Sequence, residues 1–417
     1  MTDKRKFHKI LDVTVFILLL SVISGMMFHL FYQQTIAQGA PYPSDMKAYI
    51  LEMQGIDSGY DFPYPIFFKL SALIHLFTGP EMAVALATLI LNALSMVLIK
   101  IAFNKLTLAR LSEAMGRFAW AAGILISLIA FSLFYVSMVY PPEGIYLPGI
   151  DEKYLGVFTP NPFHNATYLA TRPFSILAFF WFAKLLPIYE KGYGKKWSKA
   201  ENGVPMADYL IFAVSLLATT MTKPSFTLVF VACAGIIMAY RLVRSRFQNF
   251  VPSLQLGLCF IPTFAHLLYQ YRGVFVPEPG EVGGIGVGLA TAWRQRCGNI
   301  PLAIGLAMGF PILVLLLNFK ELKRDTIYRL SWQVYAVSLA MLFFLYEKGF
   351  RILHMNFSWG YMHGLFFAFV GALIVLIKAT AQKKRIPLLI LQWLAYGWHL
   401  VCGIFFFAEI YGGGMYY

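Results

Sequence analysis

The chain has 417 residues, of which 59% are hydrophobic and only 13% charged, with a formal net charge of +14 and positive mean hydropathy. That balance lies far outside soluble globular usage and excludes a water-soluble enzyme. The basic residues are spread over six short segments, so the charge argues for orientation in a membrane and attraction to anionic headgroups, and against nucleic acid as a partner.

Nearly all residues fall into apolar runs long enough to cross about 30 Å of hydrocarbon, separated by short polar connections. The first run, from Ile10 to about Tyr32, follows "MTDKRKFHK". It is longer than the apolar region of a signal peptide and lacks a small-residue cleavage site, so it reads as a retained first helix. Eleven spans are expected, at 10–33, 81–103, 118–140, 166–187, 207–222, 225–242, 250–271, 298–319, 327–346, 360–378 and 387–410. The predicted class is an all-α, polytopic integral membrane protein, with residues 1–417 forming a single transmembrane domain and no separate soluble domain. Of the 34 Lys and Arg residues, 24 fall in the N-terminal tail and the even-numbered loops. The positive-inside rule then places the N terminus in the cytoplasm and the C terminus, "IYGGGMYY", outside. The expected location is the cell (cytoplasmic) membrane.

The first connection, residues 34–80, is the longest of the segments assigned to the outer face. Within it "DMKAYILEMQG" has a capping residue (Ser44 or Asp45) and helical spacing, while "YPIFFKLSALIHLFTG" is amphipathic and too short to span. Both read as helices lying at the outer interface. The other outer segments are 141–173, which contains "TPNPFHNATYLATRP"; the turn "TMTKPSF" at 220–226; 272–299; and 347–360, "EKGFRILHMNFSWG". Asp45, Asp57, Asp61, Glu143, Asp151, Glu152, Glu278, Glu281 and Glu347 lie in these segments, together with most of the unusual cations and amides. The cytoplasmic loops read as solvated, basic and uninformative. The membrane interior is expected to hold almost no ionisable residues apart from His29 and His266. The four cysteines, Cys233, Cys259, Cys297 and Cys402, are scattered singly and imply neither zinc nor a disulfide. Ion-coupled transport requires titratable groups near the midplane. Groups crowded on one face suit chemistry on a lipid-borne substrate instead.

The acidic residue soon after the first helix ("YPSDMKAY", Asp45), the two helices in the first outer loop, the "TKPS" turn and the functional outer loops resemble the GT-C superfamily of polytopic glycosyltransferases. "TPNPFHNATYLATRPF", "GGIGVGLATAW" and "FSWGYMHGLFFAFV" are also similar to stretches of bacterial proteins of this type. The resemblance covers most of the chain. It implies a polyprenyl-phosphate-linked sugar as donor, an extracytoplasmic glycan or glycolipid as acceptor, membrane lipids as surroundings, and a GT-C-like fold. Where some members carry paired acids, this chain has the lone Asp45. No cofactor is called for, and a divalent metal is not indicated.

The resemblance implies that Asp45 is the catalytic base for attack of an acceptor hydroxyl on the anomeric carbon. The leaving phosphate requires positive charge, for which Lys223, Arg172, Arg294, Arg296 and Arg351 are candidates. Lys223 and Arg172 are preferred because each sits beside a Pro at what reads as a helix mouth. Sugar or acceptor contacts fall to His164, Asn165, His354, Asn356 and Trp359. Structural readings stand beside these: Asp45 as a helix cap, His164 and Asn165 as turn residues, and Lys223 and Arg172 as interfacial anchors. Arg294, Arg296 and Arg351 equally suit headgroup contacts. "GGIGVG" lacks the βαβ context of a dinucleotide site and reads as a lid or a close backbone approach. Besides single-sugar transfer, which direct displacement would make inverting, a polysaccharide polymerase or ligase, or a flippase for lipid-linked sugars, remains open.

Overall fold

A computed structural model describes residues 2–38, 41–60, 62–140, 146–150, 152–190, 203–274, 283–383 and 385–415. Asp61, Glu143, Asp151, Glu278 and Glu281 lie outside the described residues. In chain order the helices are α1 (Thr2–Ile36), α2 (Met46–Met53), α3 (Pro65–His75), α4 (Pro80–Phe103), α5 (Ala109–Met115), α6 (Ala122–Ser132), α7 (Ala166–Glu190) and α8 (Met206–Thr222). They continue with α9 (Ser225–Arg244), α10 (Phe250–Leu258), α11 (Ile261–Val274), α12 (Ile300–Leu317), the single turn α13 (Glu321–Arg324), α14 (Thr326–Phe344), α15 (Phe357–Ala381) and α16 (Ile386–Tyr411). Two three-residue strands, β1 (Ile285–Val287) and β2 (Leu345–Glu347), pair antiparallel, with Ile285 opposite Glu347.

Among the described residues, eight helical runs are long and apolar enough to cross a membrane, or nine if the bent pair α10–α11 forms one span. The chain is an all-α, multi-pass membrane protein. All eleven apolar segments contain helix, but the span count differs from the expected eleven for three reasons. Segments 81–103 and 118–140 belong to one 53-residue run, Pro80–Ser132. No proline interrupts it, and π-helical and 3-10 turns join α4, α5 and α6 in place of a loop. Segment 207–222 forms α8, whose 17 residues fall short of a span, and segment 250–271 bends by 47° between α10 and α11. α2 and α3 form as helices in the first connection, with Tyr49, Phe67 and Phe68 buried beneath them.

The bundle is organised around α15, which is buried on every side from Gly360 to Ile377. A helix that is apolar all round belongs at the centre of its bundle. Its closest partner is α14, and the seam between them is made of small residues. A Cβ at Gly364 would lie 2.0 Å from Ser338 Oγ, and one at Gly371 would lie 2.1 Å from Ser331 Oγ. Such contacts let two backbones approach where lipid offers no hydrophobic drive for association. Replacing Gly371 with Leu is therefore expected to lower thermal stability in detergent, at an overpacking cost of roughly 1–3 kcal/mol. An unchanged melting midpoint would show that the seam tolerates a side chain.

The interior is more polar than expected. Lys100, near the end of the expected span 81–103, is 5% exposed. It donates to Asp12 Oδ1 and to the Gly123 carbonyl, both at 2.7 Å. Its partner is 88 residues away in sequence, and an unpaired charge at this depth would be costly. His363 and His399 are also buried within helices. His399 Nδ1 lies 2.7 Å from the Ser137 carbonyl, and its Nε2 accepts the Phe310 N–H at 3.1 Å. Through that histidine, α16 is tied to α12 and to the unwound chain after α6.

Candidate functional site

The site begins where α7 begins. Asn165 precedes the first helical residue, and its Oδ1 accepts from the Tyr168 N–H at 2.9 Å, as helix capping requires of a polar residue there. The same oxygen accepts from Lys223 Nζ at 2.9 Å and from Thr167 Oγ1 at 3.1 Å. With Oδ1 committed to three donors, the amide nitrogen must face an acceptor. Nδ2 donates to Asp45 Oδ2 at 2.6 Å. One buried amide thus joins a carboxylate from the first connection to an ammonium from the α8–α9 turn.

Asp45 stands at the N-terminal boundary of α2, but its side chain makes no capping hydrogen bond there. Its Oδ2 accepts instead from Asn165 and from the Tyr49 hydroxyl, the latter at 3.2 Å. Tyr49 lies four residues on, one helical turn away. Burial, with the Asp45 charge next, holds the Tyr49 phenol well above its ordinary pKa, so it stays a donor. Both bonds go to Oδ2, leaving Oδ1 without a hydrogen bond among the described residues. Asp45 is exposed, and it opens onto a cavity.

Lys223 follows the last residue of α8 with extended backbone, and Pro224 starts the next helix. Lys223 is 8% exposed, and its ammonium lies 3.2 Å from Thr167 Oγ1 and 4.2 Å above the centre of the Trp359 ring. Burial lowers its pKa to about 8, although the Asp45 charge pulls in the opposite direction. The cation is thus anchored by an amide, a hydroxyl and an aromatic face, with no carboxylate among its direct hydrogen-bond partners to neutralise it.

The cavity, about 440 Å³, is lined by Asp45, Glu152, Tyr154, His164, Arg296 and Trp359, with Leu155. That volume lies in the ordinary small-molecule range, about 300–1,000 Å³. His164 packs edge-on against Tyr154, with ring centres 4.6 Å apart. Burial, and then the Lys223 charge, lower its pKa to about 3. His164 is therefore neutral near pH 7, suited to hydrogen bonding and too weakly basic to act as the principal base. Arg296 pairs with Glu152 at 2.7 Å across the wall. Four segments far apart in sequence converge here.

A small layer of chain holds these segments together. The Ile150–Cys297 bridge and the Gly298 N–H to Gly149 carbonyl bond join the loop before α7 to the loop before α12. Trp293 Nε1 donates to the Gly156 carbonyl at 2.7 Å. The glycine-rich motif proves to be a close approach: a Cβ on Gly286 would lie 2.3 Å from Tyr346 Cζ across the β1–β2 pair.

The remaining candidates separate from the cavity. Arg172 is not at a helix mouth: α7 starts at Ala166, so Arg172 lies almost two turns inside, 1% exposed. Its guanidinium donates to Asn161 Oδ1 at 2.7 Å and to the Pro160 carbonyl, and it packs over Phe134, Tyr168 and Phe366. That arrangement braces the "TPN" turn. Asn161 in turn donates to the Leu133 and Val136 carbonyls, which α6 leaves free at its end. Arg294 is exposed and is not among the residues lining the cavity. Asn356 donates to Glu347 Oε2 at 2.7 Å, with Arg351 close enough to interact electrostatically with the same carboxylate. Burial raises the Glu347 pKa, opposed by Asn356 and Arg351. His354 lies on the same short helical turn, Gly349–His354, and is exposed. This group also lies outside the cavity lining.

Tyr49, Tyr154 and Thr167 are site residues the sequence reading did not single out. The one-turn spacing of Asp45 and Tyr49 was visible in "DMKAY", and Thr167 stands two residues after the cap. Nothing local marked Tyr154. Among the described residues, no group of three or more His, Cys, Asp or Glu is placed to hold a metal ion. Comparison with known proteins finds no matching family model, no matching curated protein and no matching solved structure.

Proposed function

We propose that the protein is a GT-C type glycosyltransferase that moves one sugar from a polyprenyl-phosphate donor to an extracytoplasmic glycan or lipid-linked acceptor. The observation that carries this reading is the Asp45–Asn165–Lys223 cluster. It sets an accessible carboxylate and a buried cation with no direct carboxylate partner on either side of one amide, at the mouth of a bundle of apolar helices. A base and an anion site held a few ångströms apart are what displacement at a phosphate-bearing carbon requires.

In the proposed reaction the acceptor oxygen attacks the anomeric carbon and gives its proton to Asp45 Oδ1. The anomeric C–O bond to phosphate breaks, and its electron pair leaves on the phosphate oxygen, where Lys223 and its neighbours offset the growing negative charge. Displacement from the opposite face inverts the anomeric centre. Trp359 and the neutral His164 supply an aromatic and hydrogen-bonding wall for the sugar. With Lys and Arg concentrated in the other loops, the Asp45 end of the bundle faces away from the cytoplasm in this reading. A flippase would need a polar route through the bundle. Lys223, Trp359, Tyr168 and Arg172 instead pack one against the next beside the buried helix α15, which favours chemistry at one face.

The test is donor turnover. Purified protein is offered a panel of polyprenyl-phosphate sugars with membrane glycan acceptors, and release of polyprenyl phosphate is measured. Donor-dependent release, with the sugar recovered on the acceptor, supports the reading. Movement of intact lipid-linked sugar between leaflets without release would overturn it in favour of transport.

A further inference from the structure

A second cavity, about 890 Å³, lies at the opposite end of the bundle, between the C-terminal ends of α12 and α15 and the N-terminal ends of α14 and α16. Five cations line it: Arg110, Lys320, Arg324, Lys378 and Arg385. Two acids face them, and both are already committed. Asp325 caps α14 by accepting from the Ile327 and Tyr328 N–H groups, and it takes the Lys378 ammonium at 2.5 Å. Glu321 pairs with Arg324 at 3.4 Å. Arg110, Lys320 and Arg385 make no ion pair among the described residues. The cleft therefore carries a positive surplus from three chain segments that meet only in the fold.

The rest of the lining mixes apolar side chains with the uncharged polar Asn318, Thr326, Gln382 and Gln392. Leu316 and Phe319 belong to it and are 71% and 62% exposed, and Leu388, Leu389 and Val375 contribute further apolar surface. A soluble anion would leave these side chains uncovered. An amphiphile would cover them with its chains while its phosphate met the cations. The volume is large for a lone phosphate and suits a headgroup with the first part of its acyl chains.

We infer that this cleft is a binding site for a phosphate-bearing amphiphile, an anionic membrane phospholipid, held by Arg110, Lys320 and Arg385 over the apolar floor at Leu316 and Phe319. It is separate from the Asp45 site and does not depend on the transferase reading.

The experiment is native mass spectrometry of the full chain released from detergent, with phosphatidylglycerol, diacylglycerol of the same chains, or inorganic phosphate added. Wild type is expected to keep phosphatidylglycerol and shed diacylglycerol. Combined Arg110→Gln, Lys320→Gln and Arg385→Gln substitutions are expected to cut phosphatidylglycerol retention at least about tenfold, since each interfacial cation adds to the attraction for anionic lipid. Lys323→Gln, which removes a nearby charge outside the cleft lining, should leave retention unchanged; an equal loss in this variant would point to bulk charge and overturn the site. Equal retention in the triple variant, or of diacylglycerol by wild type, would also overturn it. Displacement of the lipid by inorganic phosphate at equal concentration would reassign the cleft to a soluble phosphate compound and overturn the lipid assignment.

Discussion

Replacing Asp45 with Asn is expected to reduce sugar transfer by about 10²–10⁴-fold, the range a positioned general base contributes, while the protein still folds and binds donor. The substitution keeps the side-chain shape and still offers an oxygen to the Asn165 amide and the Tyr49 hydroxyl, so the local network can persist. Loss of a helix cap does not account for such an effect, because the Asp45 side chain makes no capping bond to α2. One indirect route remains. The Asp45 charge helps keep Lys223 protonated, so neutralising it lowers the Lys223 pKa further and weakens the anion site at high pH. Assayed at pH 6.5, the variant separates these routes. Donor binding retained with transfer lost assigns Asp45 to the chemistry. Transfer at the wild-type rate would remove Asp45 as the base.

The apolar runs of the sequence contain most of the architecture, since period and length locate the long apolar helices and the two helices of the first connection, though not α5 or α13, which lie in stretches read as loops. The runs did not reveal that π-helical and 3-10 turns, with a reversal at Gly116, join α4, α5 and α6 without a non-helical loop, because no proline marks those joints and the fold-back of α6 onto α4 rests on contacts such as Lys100 to the Gly123 carbonyl. The site was partly legible for a similar reason. Asp45, His164, Asn165 and Lys223 are polar groups beside apolar runs, and each converges on the cluster. Arg172 shows where such reasoning stops. Reading Asn165 as the cap of α7 would have placed Arg172 nearly two turns inside the helix, but its partners Pro160 and Asn161 are set by a turn that folds back over the helix end. Lys100 and Asp12, and the β1–β2 pair that ties two loops together, depend on partners dozens of residues away. Local pattern carries no trace of such pairings.

Lys223 offers the second large effect. Lys223→Met keeps an apolar stem over Trp359 and removes the charge. Asn165 Oδ1 retains its bonds from Tyr168 and Thr167, so the cap of α7 survives. If the ammonium offsets charge on the departing phosphate, its loss should cost about 10²–10³-fold in kcat, as for one donor removed from an anion-stabilising site. The pH profile distinguishes this from a packing defect. A lysine is cationic below its pKa, and burial sets that of Lys223 at about 8. Wild-type kcat/KM should therefore fall as pH rises through about 8, where the free enzyme loses the charge. Lys223→Arg keeps the cation well above that pH and should abolish the alkaline fall, even if the bulkier guanidinium lowers the plateau. Lys223→Met should lack the same limb from a much lower plateau. A merely structural lysine would leave the alkaline limb where it is in both variants. Persistence of a fall near pH 8 in Lys223→Arg would assign that titration to another group and take the leaving phosphate away from Lys223.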